Sequence, residues 1–359
     1  MQGKLKKFAG IVLILIGLTI LYISTSSAVL HKLFDLRDSD KWWGDYQCKN
    51  GDLISMSYLD FVNVFRAATP NDLRKPESGK APNTALYLFG DSHTWKLADT
   101  LFAAQEFHFI HRSNGGLYHL DTTKRNVLII EISERDSREY FHSSRMLNDF
   151  REAPVQPKTT ILYNAPESNV SQIKYAGIMP PISLDDFFNK NINQAIQFNV
   201  FDYNFIIPMF EYKAALNYYL FNRASGDAVI SNDRKYLLLR QTITKTDATS
   251  SYSPLQPNES EHIVDALNKI YDYYKSAGFN EVYLSVVPNP VTILQPVGYN
   301  NLIPLVQTNT HLKMKVIDLY TVFKHSDQDL YWHGDTHWNY TGIKIWLDMV
   351  NRLLTNKTK

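Results

Sequence analysis

Residues 8–30 carry no charge, and within them 11–16 and 18–23 are almost wholly apolar. About 20 apolar residues span the hydrocarbon core of a bilayer, so this run predicts one N-terminal transmembrane helix. Lys4, Lys6 and Lys7 precede it, which places the amino terminus in the cytoplasm and everything after residue 30 outside. Ser26 and Ala28 also form a small-x-small site, so the competing reading is a cleaved signal peptide. Under either reading the rest of the chain is exported. The next strongest apolar run, 204–210, is too short for a second span and contains Pro208.

Residues 31–80 are polar and broken, a membrane-proximal lead segment that ends in a loop over 70–82. Apolar runs and helical periods then alternate. The run 84–89 ends at Gly90 and predicts a buried strand, and 94–102 has helical character. A second strand is predicted over 126–132 and a third over 159–163, stopped by Pro166. Residues 165–255 lack clean alternation and read as a large insertion or lid, with a helix over 211–223. Ile263, Ala266, Leu267, Ile270, Tyr273 and Tyr274 recur at helical spacing and predict a helix over 259–276, with Gly278 where a C-terminal glycine belongs. Strands over 281–287 and 315–319 and a closing helix over 342–354 complete the pattern. Such alternation predicts an α/β fold with a mostly parallel central sheet and helices on its faces. The division is an anchor over 1–30, the lead over 31–80, and one enlarged domain over 81–355.

Composition narrows the function. The 359 residues hold 37 Lys+Arg against 36 Asp+Glu, a net charge of +1, which argues against nucleic acid as a partner. The single cysteine, Cys48, excludes an intramolecular disulfide framework and a Cys-based zinc cluster. The 22 Tyr, 19 Phe and 6 Trp suit an aromatic core as well as a carbohydrate-facing groove.

Two segments carry candidate chemistry. Gly90-Asp91-Ser92-His93 follows an apolar strand directly, at the carboxyl end of a parallel sheet where open α/β folds place their sites. A helix is predicted to follow directly, so the Ser92 N–H lies near a helix N-terminus whose partial positive charge favours a developing oxyanion; the plainer role for Asp91 and Ser92 is to cap that helix. The second segment is Tyr331-Trp332-His333-Gly334-Asp335-Thr336-His337-Trp338-Asn339. A serine nucleophile needs a base, and the base an orienting acid; Asp335 and His337, two apart, supply both if the chain bends between them. The rival is a metal, because His333, Asp335 and His337 alternate like ligands along a strand. A structural pair capping the last helix is the third reading. Asn-x-Ser/Thr matches at Asn169, Asn258, Asn339 and Asn356 bear on function only in a glycosylating cell.

Together these segments resemble the SGNH (GDSL-like) hydrolase superfamily, with a G-D-S turn near the start and an Asp/His pair before the final helix. The usual D-x-x-H is here Asp335-Thr336-His337-Trp338, which looks more like the branch of alginate and exopolysaccharide O-acetyltransferases. Residues 127–135 (V-L-I-I-E-I-S-E-R) and 286–290 (V-V-P-N-P) agree with that branch. The resemblance covers about 84–350 and implies a three-layer SGNH-like fold. It implies Ser92 as nucleophile, His337 as general base and acid, and Asp335 as its orienting acid, with no metal and no cofactor. The usual G-x-N-D block is missing, so the Ser92 N–H and Gly115 or Gly116 are the oxyanion candidates. His93, Arg135 and Trp338 are candidates to line the substrate site. Glu131 and Arg135 either line it or form a buried ion pair. The implied activity is transfer of an acyl group, acetyl above all, to an exported or cell-surface polysaccharide, with a multi-span membrane acyltransferase as partner. The alternatives are a carbohydrate O-acetylesterase and a non-catalytic glycan-binding envelope protein.

Overall fold

The computed structural model describes residues 2–25, 51–66, 73–76, 79–112, 120–142 and 207–355. In chain order the described elements are α1 (Gln2–Thr25), α2 (Asp52–Ser57), β1 (Ala81–Gly90), β2 (Ala104–His111), β3 (Arg125–Ser133) and α3 (Glu134–His142). They continue with α4 (Ile207–Phe221), β4 (Ala228–Ile230), β5 (Leu237–Leu239), α5 (Glu259–Ser276), β6 (Glu281–Val287) and α6 (Pro290–Leu294). α7 (Leu302–Gln307), β7 (Lys315–Val316), α8 (Leu319–Lys324) and α9 (Tyr340–Leu354) close the fold. The strand expected over 159–163 lies outside the described residues.

These residues fall into two compact units. One contains α1, 57–62 and 207–224; the other contains 51–56, 63–66, 73–76, 79–112, 120–142 and 225–355. In the first, the rings of Tyr58 and Phe210 meet at 5.2 Å and seat α4 on the turn Leu59–Phe61. α1 forms where the uncharged run predicts it, and Phe8, Ile11, Leu13, Ile14 and Leu18 are exposed along it. Among the described residues, however, no helix is long and apolar enough to cross a membrane. The side chains described in α1 are those of 6–22, short of the roughly 20 positions a bilayer core requires. The expected transmembrane span is therefore not met among these residues.

The second unit is α/β. Five parallel strands run in the order β2-β1-β3-β6-β7. Both faces of this sheet are covered, which is why β1 is buried continuously from Thr84 to Gly90 rather than at alternate positions. Alternate side chains divide between two cores. Tyr87, Phe89, Leu128, Ile130 and Leu284 pack with Ile263, Leu267, Ile270 and Tyr274 of α5. Leu86, Leu88, Val127 and Ile129 pack with Trp346, Leu347 and Val350 of α9 on the other face. α5 ends where the sequence predicts: Gly278 has φ +109°, and its N–H bonds Lys275 O while that of Phe279 bonds Tyr274 O. The strand order reverses between β1 and β3, and the crevice at their carboxyl ends is where such sheets bind ligands.

Two expected elements are corrected, and one strand appears that was not expected. The helix predicted over 94–102 is replaced by turns and the short 3-10 turn Asp99–Leu101. The chain there is tied sideways: Glu131 accepts from the Thr94 hydroxyl, and Trp338 Nε1 donates to His93 O at 3.0 Å. The oxyanion contribution expected from a helix N-terminus after Ser92 is thus absent among the described residues. β2, at the sheet edge, has no counterpart in the sequence reading, because a strand with one neighbour and one partly wet face shows no clean apolar run. Finally, β7 stops at Val316, two residues into the strand expected over 315–319.

α9 is pinned to the start of β2 by Asn351, whose Oδ1 accepts from Ala103 N at 2.7 Å while its Nδ2 donates to Leu101 O at 2.9 Å. Asn351→Ala leaves both backbone groups buried without a partner. It should lower unfolding free energy by about 2–4 kcal/mol, read from the shift in urea midpoint, without altering helix or strand content.

Candidate active site

Two copies of one local device build the site. In Asp91-Ser92-His93 the Asp91 Oδ1 accepts from His93 N and Nδ1, each at 2.9 Å. In Asp335-Thr336-His337 the Asp335 Oδ1 accepts from His337 N at 2.9 Å and from Nδ1 at 2.5 Å. An aspartate bonding its own backbone two residues on needs only the local chain. Both motifs therefore fold the same way. The two imidazoles face each other with ring centroids 4.6 Å apart.

β1 delivers the first motif. Gly90 is glycine because a Cβ there would lie 2.1 Å from Thr94 Oγ1 and 2.9 Å from Glu131 Oε2. Ser92 projects into solvent beyond the strand end, and its Oγ lies 2.8 Å from His337 Nε2. An ionised Asp335 only accepts, so Nδ1 of His337 carries the proton and Nε2 is left as acceptor for the Ser92 hydroxyl. Ser92, His337 and Asp335 are thus brought together as one hydrogen-bonded chain.

The second motif is clamped from outside. Tyr331 and Trp338 form an antiparallel bridge, with Trp332 N bonding His337 O at 3.2 Å. α2 grips the other side: Leu53 N and Ile54 N each donate to Gly334 O at 3.1 Å, and Asp52 N donates to Asp335 Oδ2 at 3.0 Å. The Asp52 carboxylate returns the contact, accepting from Thr336 N at 2.8 Å and Thr336 Oγ1 at 2.5 Å. Gly51 has φ +135°, and a Cβ on it would sit 2.3 Å from Gly334 O. Sequence reasoning missed Asp52, which it placed in a polar lead segment. The only signal was a Gly-Asp pair ahead of a short apolar stretch.

Burial and charge set different protonation states. Burial pushes Asp335 up, but the hydrogen bond and charge of His337 and the N–H groups of His337 and Asp52 hold it at about 2. Burial pushes His337 down, yet the Asp335 hydrogen bond and charge and the Asp52 charge outweigh it and the nearby Arg135, so its pKa is raised. His93, with a side chain only 6% exposed, is lowered by burial despite Asp91, and remains neutral at pH 7. Burial pushes Asp91 up, but the side-chain and backbone hydrogen bonds from His93 and the Arg112 charge outweigh it and hold Asp91 well below the carboxylate range. Glu131 goes the other way: burial and the Asp91 charge raise it well above its ordinary value, so it stands as a neutral acid accepting from Asp91 N at 3.0 Å.

Among the described residues, two groups have the donor atoms for a cation, Asp52/Asp335/His337 and Asp91/His93/Glu131, each with ligand atoms within 4.8 Å of one another. In the first, each carboxylate oxygen already accepts a hydrogen bond from a neighbouring residue. The His333/Asp335/His337 ligand set expected as the rival does not assemble. His333 turns away, its Nδ1 on Val64 O at 2.9 Å and its Nε2 on Asp329 Oδ2 at 2.6 Å.

The candidate lining residues separate. His93 and Arg135 border a small cavity with Thr336, Asn289 and Leu238, which has room for about one water molecule. Arg135 does not pair with Glu131, as one reading expected; its Nε lies 3.8 Å from Asp136 Oδ1, and its charge acts on both imidazoles. Trp338 is 1% exposed and packs on Trp346 and Phe323, so it belongs to the core rather than to the pocket wall. Of the aromatics that flank the motifs, Tyr331 is also buried, whereas Trp95 is 56% exposed beside Ser92. Gly115 and Gly116 lie outside the described residues. Asn339 is buried and caps α9, accepting from Thr341 N at 2.8 Å and Gly342 N at 3.2 Å.

No family model, curated protein or solved structure matches this chain.

Gly51→Ala should cost at least about 2 kcal/mol, combining backbone strain with a contact that forces α2 off Gly334. Gly79→Ala, with φ +68° in the left-handed region and no atom within 4 Å of the new Cβ, is the comparison in which the contact is missing and the backbone strain is milder. Thermal midpoints of the two variants, compared side by side, measure the difference.

Proposed function

We propose that the protein is an extracytoplasmic acyl-group enzyme of the Ser-His-Asp type. It transfers an acyl group, acetyl above all, to a hydroxyl of a cell-surface or exported polysaccharide. The observation that carries this reading is the chain Ser92 Oγ–His337 Nε2 at 2.8 Å and His337 Nδ1–Asp335 Oδ1 at 2.5 Å, set at the carboxyl end of a parallel sheet. The reading follows the SGNH-type resemblance of the two motifs.

The reaction runs in two halves. Ser92 Oγ attacks the carbonyl carbon of the donor as its proton passes to His337 Nε2, and the carbonyl oxygen takes the negative charge. The Ser92 N–H is the backbone donor available to that oxygen. The leaving group departs with the proton from His337, which leaves an ester on Ser92. An acceptor hydroxyl then gives its proton to His337 and attacks the ester carbon, and the bond to Ser92 Oγ breaks as that oxygen takes the proton back from His337. Asp335, ionised down to about pH 2, keeps the imidazole oriented and stabilises its charged form throughout. Exposed Trp95 offers an aromatic face to a sugar ring.

α1 would hold the enzyme to the membrane, its exposed apolar side chains being those of a segment that meets lipid. Acyl groups must then reach the outer side, so a multi-span membrane acyltransferase is the expected partner. The exposure of Ser92 favours a second reading, hydrolysis of the acyl-enzyme by water, which makes the same machinery an O-acetylesterase.

Ser92→Ala and His337→Ala should each lower acetyl release from a chromogenic ester by at least about a thousandfold with the fold intact. Unchanged turnover in Ser92→Ala, or no covalent labelling of Ser92 by an organophosphonate, sinks the reading in favour of a non-catalytic glycan binder. The pH profile follows from His337, which must be neutral to accept the proton. Its raised pKa puts the rise of kcat/KM above about 6.5, the ordinary imidazole value. Stability runs the opposite way. The contribution of charged His337 is complete below pH ~6.5 and is lost as pH rises through the raised native pKa.

A further inference from the structure

Asp52 touches two of the three residues of the motif that holds the base, and the mechanism above does not use it. Its N–H donates to Asp335 Oδ2 at 3.0 Å, and its carboxylate takes both the N–H and the hydroxyl of Thr336. A clamp alone needs no charge: asparagine in this place would accept from Thr336 N and donate to the Thr336 hydroxyl. Instead a second carboxylate stands against Asp335. Burial and the Asp335 charge raise its pKa, opposed by the Thr336 hydrogen bonds and the His337 charge. An arrangement of like charges costs energy unless a positive charge visits them.

That charge appears when His337 takes the Ser92 proton. Resting on the Ser-His-Asp reading, we propose that Asp52 is a positioning residue of the active site. It fixes the Asp335 carboxylate and the 335–337 bend, and its negative charge stabilises the imidazolium formed at His337. No proton moves to Asp52. The proton leaves Ser92 Oγ for His337 Nε2, and a cluster of two carboxylates and a neutral ring becomes two carboxylates and a cation. The groups facing His337 are Asp335 and Asp52 on the negative side, Arg135 on the positive side, and the neutral His93 ring at 4.6 Å. On this account residues 51–54 of the lead segment belong to the catalytic unit.

The test is the titration of His337, followed by imidazole NMR on the full chain in detergent, in wild type, Asp52→Asn and Thr336→Val. Asp52→Asn keeps the hydrogen bonds and removes the charge, so the His337 pKa should fall by at least about half a unit. The rise of the kcat profile should move down with it, and kcat should drop about tenfold with KM little changed. Thr336→Val removes the hydroxyl bond to Asp52 together with the longer 3.4 Å contact of the same hydroxyl with His337 Nδ1, keeps the Asp52 charge, and should fall between. An unchanged His337 titration in a folded Asp52→Asn protein overturns the proposal. So does loss of wild-type turnover on adding a chelator, which would make Asp52 a metal ligand. The titration needs no turnover, so it is read separately from organophosphonate labelling of wild-type Ser92, the measurement on which the parent reading fails.

Discussion

An imidazole takes a proton from a hydroxyl through one nitrogen, and an acid on the other nitrogen fixes the tautomer that leaves the first one free. Here the Asp335 Oδ1 contact with His337 N and Nδ1 does this, and the rest of the site is arranged to keep that three-residue turn in place. The turn closes through its own backbone, but it cannot choose where it points. That choice comes from the Tyr331–Trp338 bridge on one side and from α2 on the other, where a Cβ on Gly51 would lie 2.3 Å from Gly334 O and a Cβ on Gly334 would lie 2.3 Å from Ile54 Cδ1. A glycine at each position is thus a condition of the geometry rather than a matter of flexibility.

The sheet supplies the remaining constraint. β1 ends level with Glu131 of β3 at the reversal of strand order, so the Asp91 turn and the Glu131 carboxyl meet next to Ser92. Two acids this close cannot both be charged at low cost, and they divide the roles. Asp91, beside His93 and Arg112, stays ionised; Glu131, the more deeply buried of the two, stays neutral and binds the Asp91 N–H and the Thr94 hydroxyl. The same division distinguishes the two facing histidines. His93 is buried and kept uncharged, whereas His337 sits between two carboxylates and is favoured as a cation.

The elements that were legible in the sequence are those whose signal is continuous and local. α5 and β6 have the bounds that helical spacing and the apolar run indicate, since α5 lays one stripe on the core and β6 is buried on both faces. β2 was not legible because an edge strand mixes wet and dry positions. The segment after Ser92 misled because its helical composition is overruled by bonds to Glu131 and Trp338. At the site, Ser92, Asp335 and His337 were legible from residue type and order. Asp52 was not, being separated from Thr336 by 284 positions with no motif to link them. His333 shows the reverse error: its spacing suggested a ligand, and only the position of Val64 and Asp329 shows where its nitrogens go.

The sequence by itself determined the α/β alternation, the strand that ends at Gly90, and two Asp-x-His turns that close on their own backbone. These depend on burial periodicity and on hydrogen bonds two residues long. The tertiary structure decided which serine the second histidine meets, which carboxylates are charged, and which tryptophans are core and which exposed. It also joined the lead segment to the site. Each of these depends on groups hundreds of residues apart sharing a dry, closely packed space, where a neighbour's charge or a missing Cβ outweighs any local preference.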